Sequence, residues 1–543
     1  MKLTRDRELK KLRRKAQQPD PERDRLLAIA AAAFGREAFA ESEGAARQVL
    51  ARYPDHPDAL HWLGGIALRF GHTADAVRHF EAAVRSAPAS PILRQNLSLG
   101  YRLTRRLDDA VRQGKEATRL APRDAEARLC LAAALMESYR FEEAHNELLV
   151  VLELDPNNPD AHGNVAKVLK LLGRNEEADS YFETLASQQS SSPESWLSLG
   201  WARSEQRRYD EAVECLRRST MLRRASRWWP RNGVSPVPAD PSVLVNALKL
   251  DHDIEQFRYL GEKGLLPAEL SSLASHYEAI REQLTRTHGA AASTTLVRGS
   301  SAMFDATYRR MIHWRDTSAL PETALGSSLD CRRIEAAYAE PPGICWVDGL
   351  LSERALAEVR AFCLESTIWN DVGHDFRIHS IARGYLGSYG ADGLCCPLLF
   401  QIADELTRAL PAIFQDHRLI QMWTYKYEST LDGIAVHGDD AAVNVNFWIT
   451  PDDANLDPGS GGLVIHPVEA PADWKFNEIN GEVPRIQRFL SESGAAPVNV
   501  PYRQNRAVIF NSDLFHATAP LHFKPGYENR RINVTMLFGR RGG

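Results

Sequence analysis

From about residue 23 to residue 225, apolar residues recur at three- and four-residue steps, the spacing of one helix face. Within that stretch the pattern repeats. Leu63, Leu97, Leu131, Val165 and Leu199 stand 34 residues apart, each followed by a small residue: Gly64, Ser98, Ala132, Ala166 and Gly200. Ala76, Ala110, Ala144, Ala178 and Ala212 keep the same step, as do Pro54, Pro88, Pro122 and Pro156. One period holds two amphipathic helices, for example ALHWLGGIALRFG and then TADAVRHFEAAVRSAP. The small residue and the alanine let the paired helices approach, and the proline stops the second helix. A single pair cannot bury its apolar face, so the pairs are predicted to stack. Clear units begin near Pro57, Pro91, Ala125, Pro159 and Pro193, and a weaker one spans about Arg23 to Pro54. The basic residues 1–22 are predicted to form a solvated helical cap. No aromatics are interleaved with their charges, which argues against nucleic-acid binding.

A 34-residue period with large apolar, small, alanine and proline positions in this order resembles the tetratricopeptide repeat. The resemblance implies an all-α solenoid over residues 23–225, with a concave groove for peptides or partner proteins.

The helical period breaks at RWWPRNGVSPVPADPSV, where Trp228 and Trp229 are expected to pack a domain junction. Residues 226–332 read as a helical connecting region. Helix is expected from Leu244 to about Thr287, and THGAAASTTLVRGSSA reads as a loop. From residue 333 the pattern changes again. A helix capped by Ser352 and another from Cys395 to Phe414 precede short alternating runs: RLIQMWTYKYES, AAVNVNFWIT, GGLVIHPV, RAVIFNS and RINVTMLFG. Helices followed by clustered short strands predict a β-sandwich or jelly roll with supporting helices over residues 333–543.

Composition narrows the class. A length of 543 residues exceeds one core and predicts roughly three to four domains. The net charge of −5 gives no pull toward nucleic acid or anionic membranes. No secretory pattern or membrane-length apolar run is present. The seven cysteines are scattered without a C-x-x-C pair, so a disulfide framework is not expected and a cytoplasmic location is.

The candidate chemistry lies in the last fifth of the chain. His437 and Asp439 form an H-x-D triplet between two predicted strands, so both side chains leave an extended chain on the same side. His516 follows 79 residues after His437, just past the strand AVIF. Arg531 opens an alternating strand in which Arg531, Asn533 and Thr535 share a face. Two imidazoles and a carboxylate on one side of an iron leave its other side open. The triplet alone is weak: His56-Pro57-Asp58 fits it too, but in a repeat loop. Asp440 is the rival carboxylate and Arg530 the rival arginine. His466 is expected to be structural or to support a ligand, and His522 to lie on the surface. Asn444, Asn446 and Trp448 share a strand face that substrate or co-substrate would reach.

From about Gly343 to Gly539 these motifs resemble the iron(II)- and 2-oxoglutarate-dependent oxygenases, specifically their prolyl 4-hydroxylase-like members. The resemblance implies a distorted jelly roll with His437, Asp439 and His516 as iron ligands. It also implies that Arg531 binds the 2-oxoglutarate carboxylate and that Tyr427 lines the same pocket. Iron(II), 2-oxoglutarate and dioxygen follow as cofactor and co-substrates, with ascorbate as a support. Arg531 lies 15 residues after His516, farther than is common in the family, and an insertion from about Ala470 to Tyr502 lengthens the gap between the histidines. That insertion reads equally as a lid or as a surface helix. The expected function is hydroxylation of a C–H bond in a peptide or protein recruited by the repeats. Two alternatives remain: a small or carrier-bound metabolite as substrate, or a non-catalytic scaffold or oxygen-sensing module.

Overall fold

The computed structural model describes residues 20–229, 242–289, 293–297, 301–372, 384–414, 417–474 and 476–541. The basic segment expected to cap the solenoid lies almost wholly outside the described residues. The chain divides into two compact units, Met1–Gln189 and Ser190–Gly543.

The first unit is all helical among its described residues. Helices pair in sequence as Pro21–Gly35 with Phe39–Arg52, Pro57–Arg69 with Thr73–Ser86, Pro91–Leu103 with Leu107–Leu120, Ala125–Glu137 with Phe141–Leu154, and Pro159–Leu171 with Asn175–Gln188. The residues that keep the 34-residue step form its core: Ala76, Ala110, Ala144 and Ala178 are completely buried or nearly so. A side chain at Gly64 would put its Cβ 2.4 Å from the Phe80 ring, which explains the small residue there. At the equivalent place in the next repeat, the Ser98 hydroxyl donates to the Ala110 carbonyl at 2.8 Å.

The second unit opens with one more pair in the same register, Pro193–Glu205 and Tyr209–Arg224. This pair packs onto the rest of its own unit. Tyr209 and Trp201 lie 5.7 and 6.5 Å from the Phe400 ring, and Arg207 donates to Thr407 at 3.1 Å. Arg224 is buried and donates to the carbonyls of Thr367, Ile368, Arg309 and Asp392. Gly390 admits the contact, since a Cβ there would lie 3.2 Å from Trp201 and 3.3 Å from Leu216. The compact division therefore falls before this pair, whereas the period alone places a boundary near residue 225.

The connecting region is not purely helical. Strands β1 (Ser242–Asn246) and β2 (Ser293–Val297) pair antiparallel, Ser242 opposite Val297 and Asn246 opposite Ser293. This corrects two expectations, helix from Leu244 and a loop after Thr287. Two or three β-branched residues per strand give little local signal, and each strand is completed only by its distant partner. Helices Ala247–Glu262 and Leu273–His288 lie between them. Trp229 stacks on Trp314 at 5.1 Å, a packing role as expected, but inside the second unit and not at a junction between units.

The remaining strands are β3 (Ile344–Asp348), β4 (Tyr385–Tyr389), β5 (Leu419–Tyr427), β6 (Thr430–Leu431), β7 (Ile434–His437), β8 (Val443–Trp448), β9 (Leu463–Glu469), β10 (Val498–Val500), β11 (Arg506–Asn511), β12 (Leu514–Thr518), β13 (Leu521–His522) and β14 (Ile532–Phe538). They form a six-stranded sheet in the order β3-β11-β8-β14-β5-β4, a four-stranded sheet β10-β9-β12-β7 and a small pair β13-β6. All pairings are antiparallel.

Alternation decides which face of the large sheet does what. Met422 on β5, Val443, Val445 and Phe447 on β8, and Val534, Met536 and Phe538 on β14 join the core built with helices Glu353–Glu365 and Pro397–Ala409. The other face meets the smaller sheet, where Tyr427, Trp448, Val508 and Phe510 pack against Leu463, Ile465, Val500 and Leu514. Among the described residues, no helix is long and apolar enough to cross a membrane.

Candidate metal centre

Between the facing sheets, β7 delivers His437 at its last residue, opposite His516 in the β12 ladder. Asp439 follows in the turn to β8. One ligand atom from each of His437, Asp439 and His516 lies within 4.8 Å of the others, the one such His/Cys/Asp/Glu cluster of three or more among the described residues. The imidazole centroids are 4.5 Å apart, and His516 Nε2 lies 3.5 Å from Asp439 Oδ2.

Backbone carbonyls orient both rings. His437 Nδ1 donates to Ala435 O at 2.9 Å and His516 Nδ1 to Leu514 O at 3.3 Å. Each ring is therefore held with a proton on Nδ1, which makes Nε2 its candidate ligating atom. Asp439 is 6% exposed and accepts from Asn444 Nδ2 at 2.8 Å. Burial works to raise its carboxyl. The His516 hydrogen bond, the positive potential of both histidines and the Asn444 amide outweigh burial and hold it below the usual carboxylate value. Phe510 closes one side of His516, with ring centroids 5.0 Å apart.

A cavity of about 590 Å³ opens beside the three ligands. The inward faces of β5, β8 and β14 supply Trp423, Tyr425, Tyr427, Asn446, Asn533 and Thr535 to its lining. The two asparagine amides both donate to Thr535 Oγ1, at 2.8 and 3.1 Å.

Arg531 is 1% exposed. Its Nε donates to Gly461 O at 2.7 Å, Nη1 reaches Asn533 Oδ1 at 3.4 Å, and the guanidinium lies 4.5 Å from the Tyr427 ring centroid. Arg530 turns to the other face and pairs with Glu255 at 2.7 Å. Adjacent strand residues point oppositely, so only Arg531 is on the cavity's side, behind the lining residues Tyr427 and Asn533.

The other candidates separate clearly. Asp440 is exposed and lines the cavity, but does not join the three-ligand cluster. His466 alternates with Ile465, the residue opposite His516, and faces away; burial, then His516, lowers its basicity. His522 is exposed on β13, and His56 caps a repeat helix. Trp448 is buried beside Tyr502 and backs Arg531 at 5.6 Å.

The insertion is built into the site. Its helices, Phe476–Gly481 and Val483–Ser493, place Ile479, Ile486 and Leu490 against Val436 and Phe515. Those two residues immediately precede His437 and His516. Gly438, between His437 and Asp439, donates its N–H to Ile479 O at 2.7 Å and accepts from Asn480 Nδ2 at 3.0 Å. Asn480, Gly481 and Val483 also line the cavity. Sequence reasoning missed this clamp, and the wall of Tyr385, Tyr389, Trp423 and Tyr425 as well. The alternation in QMWTYKY carried a signal for Trp423 and Tyr425; nothing local signalled the clamp.

Comparison with known proteins bears on the helical repeats. Models of the tetratricopeptide repeat match residues 26–91 and 166–225, and a second such model matches residues 103–168. A structure described as a functional characterisation of pilF from Pseudomonas aeruginosa is 18% identical with a TM-score of 0.34, covering 37% of this chain and 91% of its own. A crystal structure of MamA is 17% identical (TM-score 0.29; 31% and 92% covered). YrrB, described as a tetratricopeptide-repeat protein with an unusual peptide-binding site, is 14% identical (TM-score 0.28; 33% and 91% covered). No curated protein matches the chain. By the family models, the N-terminal helix pairs are tetratricopeptide repeats.

Proposed function

We propose that this protein is an iron(II)- and 2-oxoglutarate-dependent oxygenase that hydroxylates a C–H bond in a peptide or protein substrate. The observation that carries the reading is the convergence of His437, Asp439 and His516 from β7, its following turn and β12. The donor set fits iron(II): two imidazoles with Nδ1 committed to backbone carbonyls, and one buried carboxylate fixed by the Asn444 amide. On this reading the two facing sheets are a jelly roll of the oxygenase type.

His437, Asp439 and His516 would hold iron(II), which with 2-oxoglutarate and dioxygen would supply the oxidation: one oxygen atom to the substrate C–H, the other to succinate, with loss of carbon dioxide. The chain's residues supply placement. Asn444 fixes the Asp439 carboxylate, and the clamp from the insertion fixes the H-x-D turn. Arg531, backed by Tyr427 and Trp448, offers a planar, permanently charged group for the far carboxylate of 2-oxoglutarate. Asn446, Asn533 and Thr535 give a polar floor, and the tyrosines restrict water. Tetratricopeptide repeats generally present peptides or partner proteins, which makes a macromolecular substrate the first choice.

The test is incubation of the full chain with iron(II), ascorbate, 2-oxoglutarate and candidate proteins captured by the repeats. Succinate release that depends on His437 and Asp439, with addition of one oxygen atom to a captured protein, is expected. Absence of metal binding and of succinate with every candidate would sink the enzyme reading. Turnover of a small metabolite, undiminished by removal of the first unit, would move the substrate to the metabolite class.

A further inference from the structure

The cavity beside the three ligands has a selective character that C–H hydroxylation does not itself demand. One wall is aromatic: Tyr385, Tyr389, Trp423 and Tyr425 all line it. Their centroids are 4.6 Å apart for Tyr385 and Tyr425, and 6.2 Å for both Tyr389–Trp423 and Trp423–Tyr425. The Tyr389 and Tyr425 hydroxyls bond each other at 2.9 Å, so that pair satisfies its own polar edges.

Two acceptors join this wall. Asp440 brings an exposed carboxylate to the lining. Asn446 is 7% exposed; its Nδ2 is committed to Thr535, and its Oδ1 has no hydrogen-bond partner within the chain. No lysine or arginine is among the described lining residues; Arg531 lies behind the lining, against Tyr427 and Asn533 and away from the wall of Tyr385, Tyr389, Trp423 and Tyr425. Aromatic faces attract cations, and more strongly once both are desolvated. A buried carbonyl oxygen without a donor is costly until a guest brings an N–H. A carboxylate at the same cavity adds charge attraction.

We propose that this cavity selects a cationic side chain with N–H donors, so that the residue oxidised is of the lysine or arginine type. The aliphatic stem lies along the rings, while the ammonium or guanidinium meets Asp440 and Asn446. What happens to the guest rests on the oxygenase reading; its recognition does not.

The experiment is binding to the full chain without metal, measured calorimetrically. The probes are Nα-acetyl amides of lysine, arginine, norleucine, proline and glutamate. At least one cationic amide is expected to bind about tenfold more tightly than the neutral norleucine amide, the ratio of a desolvated cation–aromatic contact. Asp440→Asn and Tyr389→Leu should each reduce that preference severalfold, and added salt should weaken it. Equal or tighter binding of norleucine, proline or glutamate, or no cation binding at millimolar concentration, would overturn the proposal. So would a preference that neither substitution changes. Asp440→Asn alters an exposed carboxylate, which protects the test against misfolding. Manganese(II) binding is measured in parallel. Cation preference without metal binding sinks the oxygenase reading alone, and metal binding without cation preference sinks this one alone.

Discussion

Asn444→Leu isolates the support of the Asp439 carboxylate, the candidate oxygen ligand. Asn444 is fully buried, and its Nδ2 bonds Asp439 Oδ2 at 2.8 Å, while its own Oδ1 has no partner within the chain. Leucine keeps the volume and removes that orphan acceptor together with the donor. A hydrogen bond to a charged group is worth about 1.5–3 kcal/mol, which converts to roughly 10- to 150-fold in affinity. Loss of an outer-shell partner ordinarily weakens a metal site about 10- to 100-fold, so the two figures agree. Manganese(II) titration of the full chain should therefore show at least about tenfold weaker binding. The pH profile should shift as well. Asp439 sits below the usual carboxylate value although burial opposes this, and Asn444 contributes to the lowering. Without that amide the carboxyl rises, and protons compete with metal at a higher pH than in the parent. A melt without metal controls for general damage. Affinity within about twofold of the parent, or a loss that follows the melt alone, would refute Asp439 as a ligand positioned by Asn444.

Three further outcomes are expected. Lys426 is buried with no hydrogen-bond partner, its ammonium lying over Tyr527 and 5.6 Å from the Trp369 centroid; burial, then Arg530, pushes its pKa well below the ordinary lysine value. The unfolded chain thus binds a proton the folded chain does not, so stability rises with pH between the lowered value and the ordinary one; Lys426→Met should flatten that slope and raise the melting temperature near neutral pH, and an unchanged slope would show that Lys426 does not cause it. Arg531→Met should raise the 2-oxoglutarate concentration needed for half-maximal succinate release by about tenfold or more, whereas Arg530→Met should cost roughly 1–3 kcal/mol of stability, by losing Glu255, without that effect; the reverse pattern would exchange their roles. Removal of residues 1–189 should leave a cooperatively melting unit, and removal of residues 1–225 should cost about 2 kcal/mol or more, because Arg224 leaves the buried carbonyls of Thr367 and Ile368 and two part-buried ones without their donor; equal circular-dichroism melts for the two would contradict this packing.

The repeats were legible in the sequence because their determinants are local. Ala76, Ala110, Ala144 and Ala178 touch partners a helix or two away, and the contact recurs with the period. The faces of β5, β8 and β14 were equally legible, since alternation follows from strand geometry alone. The same rule separated Arg531 from Arg530, and strand context separated His437 and Asp439 from the triplet at His56.

Contacts between distant segments were decided only by the tertiary structure. Pro193–Arg224 reads as a repeat like its neighbours, yet Gly390, Phe400 and the carbonyls bound by Arg224 make it part of the second unit. β1 and β2 become strands only by pairing across nearly fifty residues. The insertion looked like a lid or a surface helix, and Ile479 and Asn480 turn it into a clamp on Gly438. Local pattern was enough for the period, for the faces of β5, β8 and β14 and for the choice of His437, Asp439 and His516 as candidate ligands. The tertiary structure decided what holds those ligands and what walls their cavity, because hydrogen bonds and apolar contacts between remote segments leave no periodic trace in the chain.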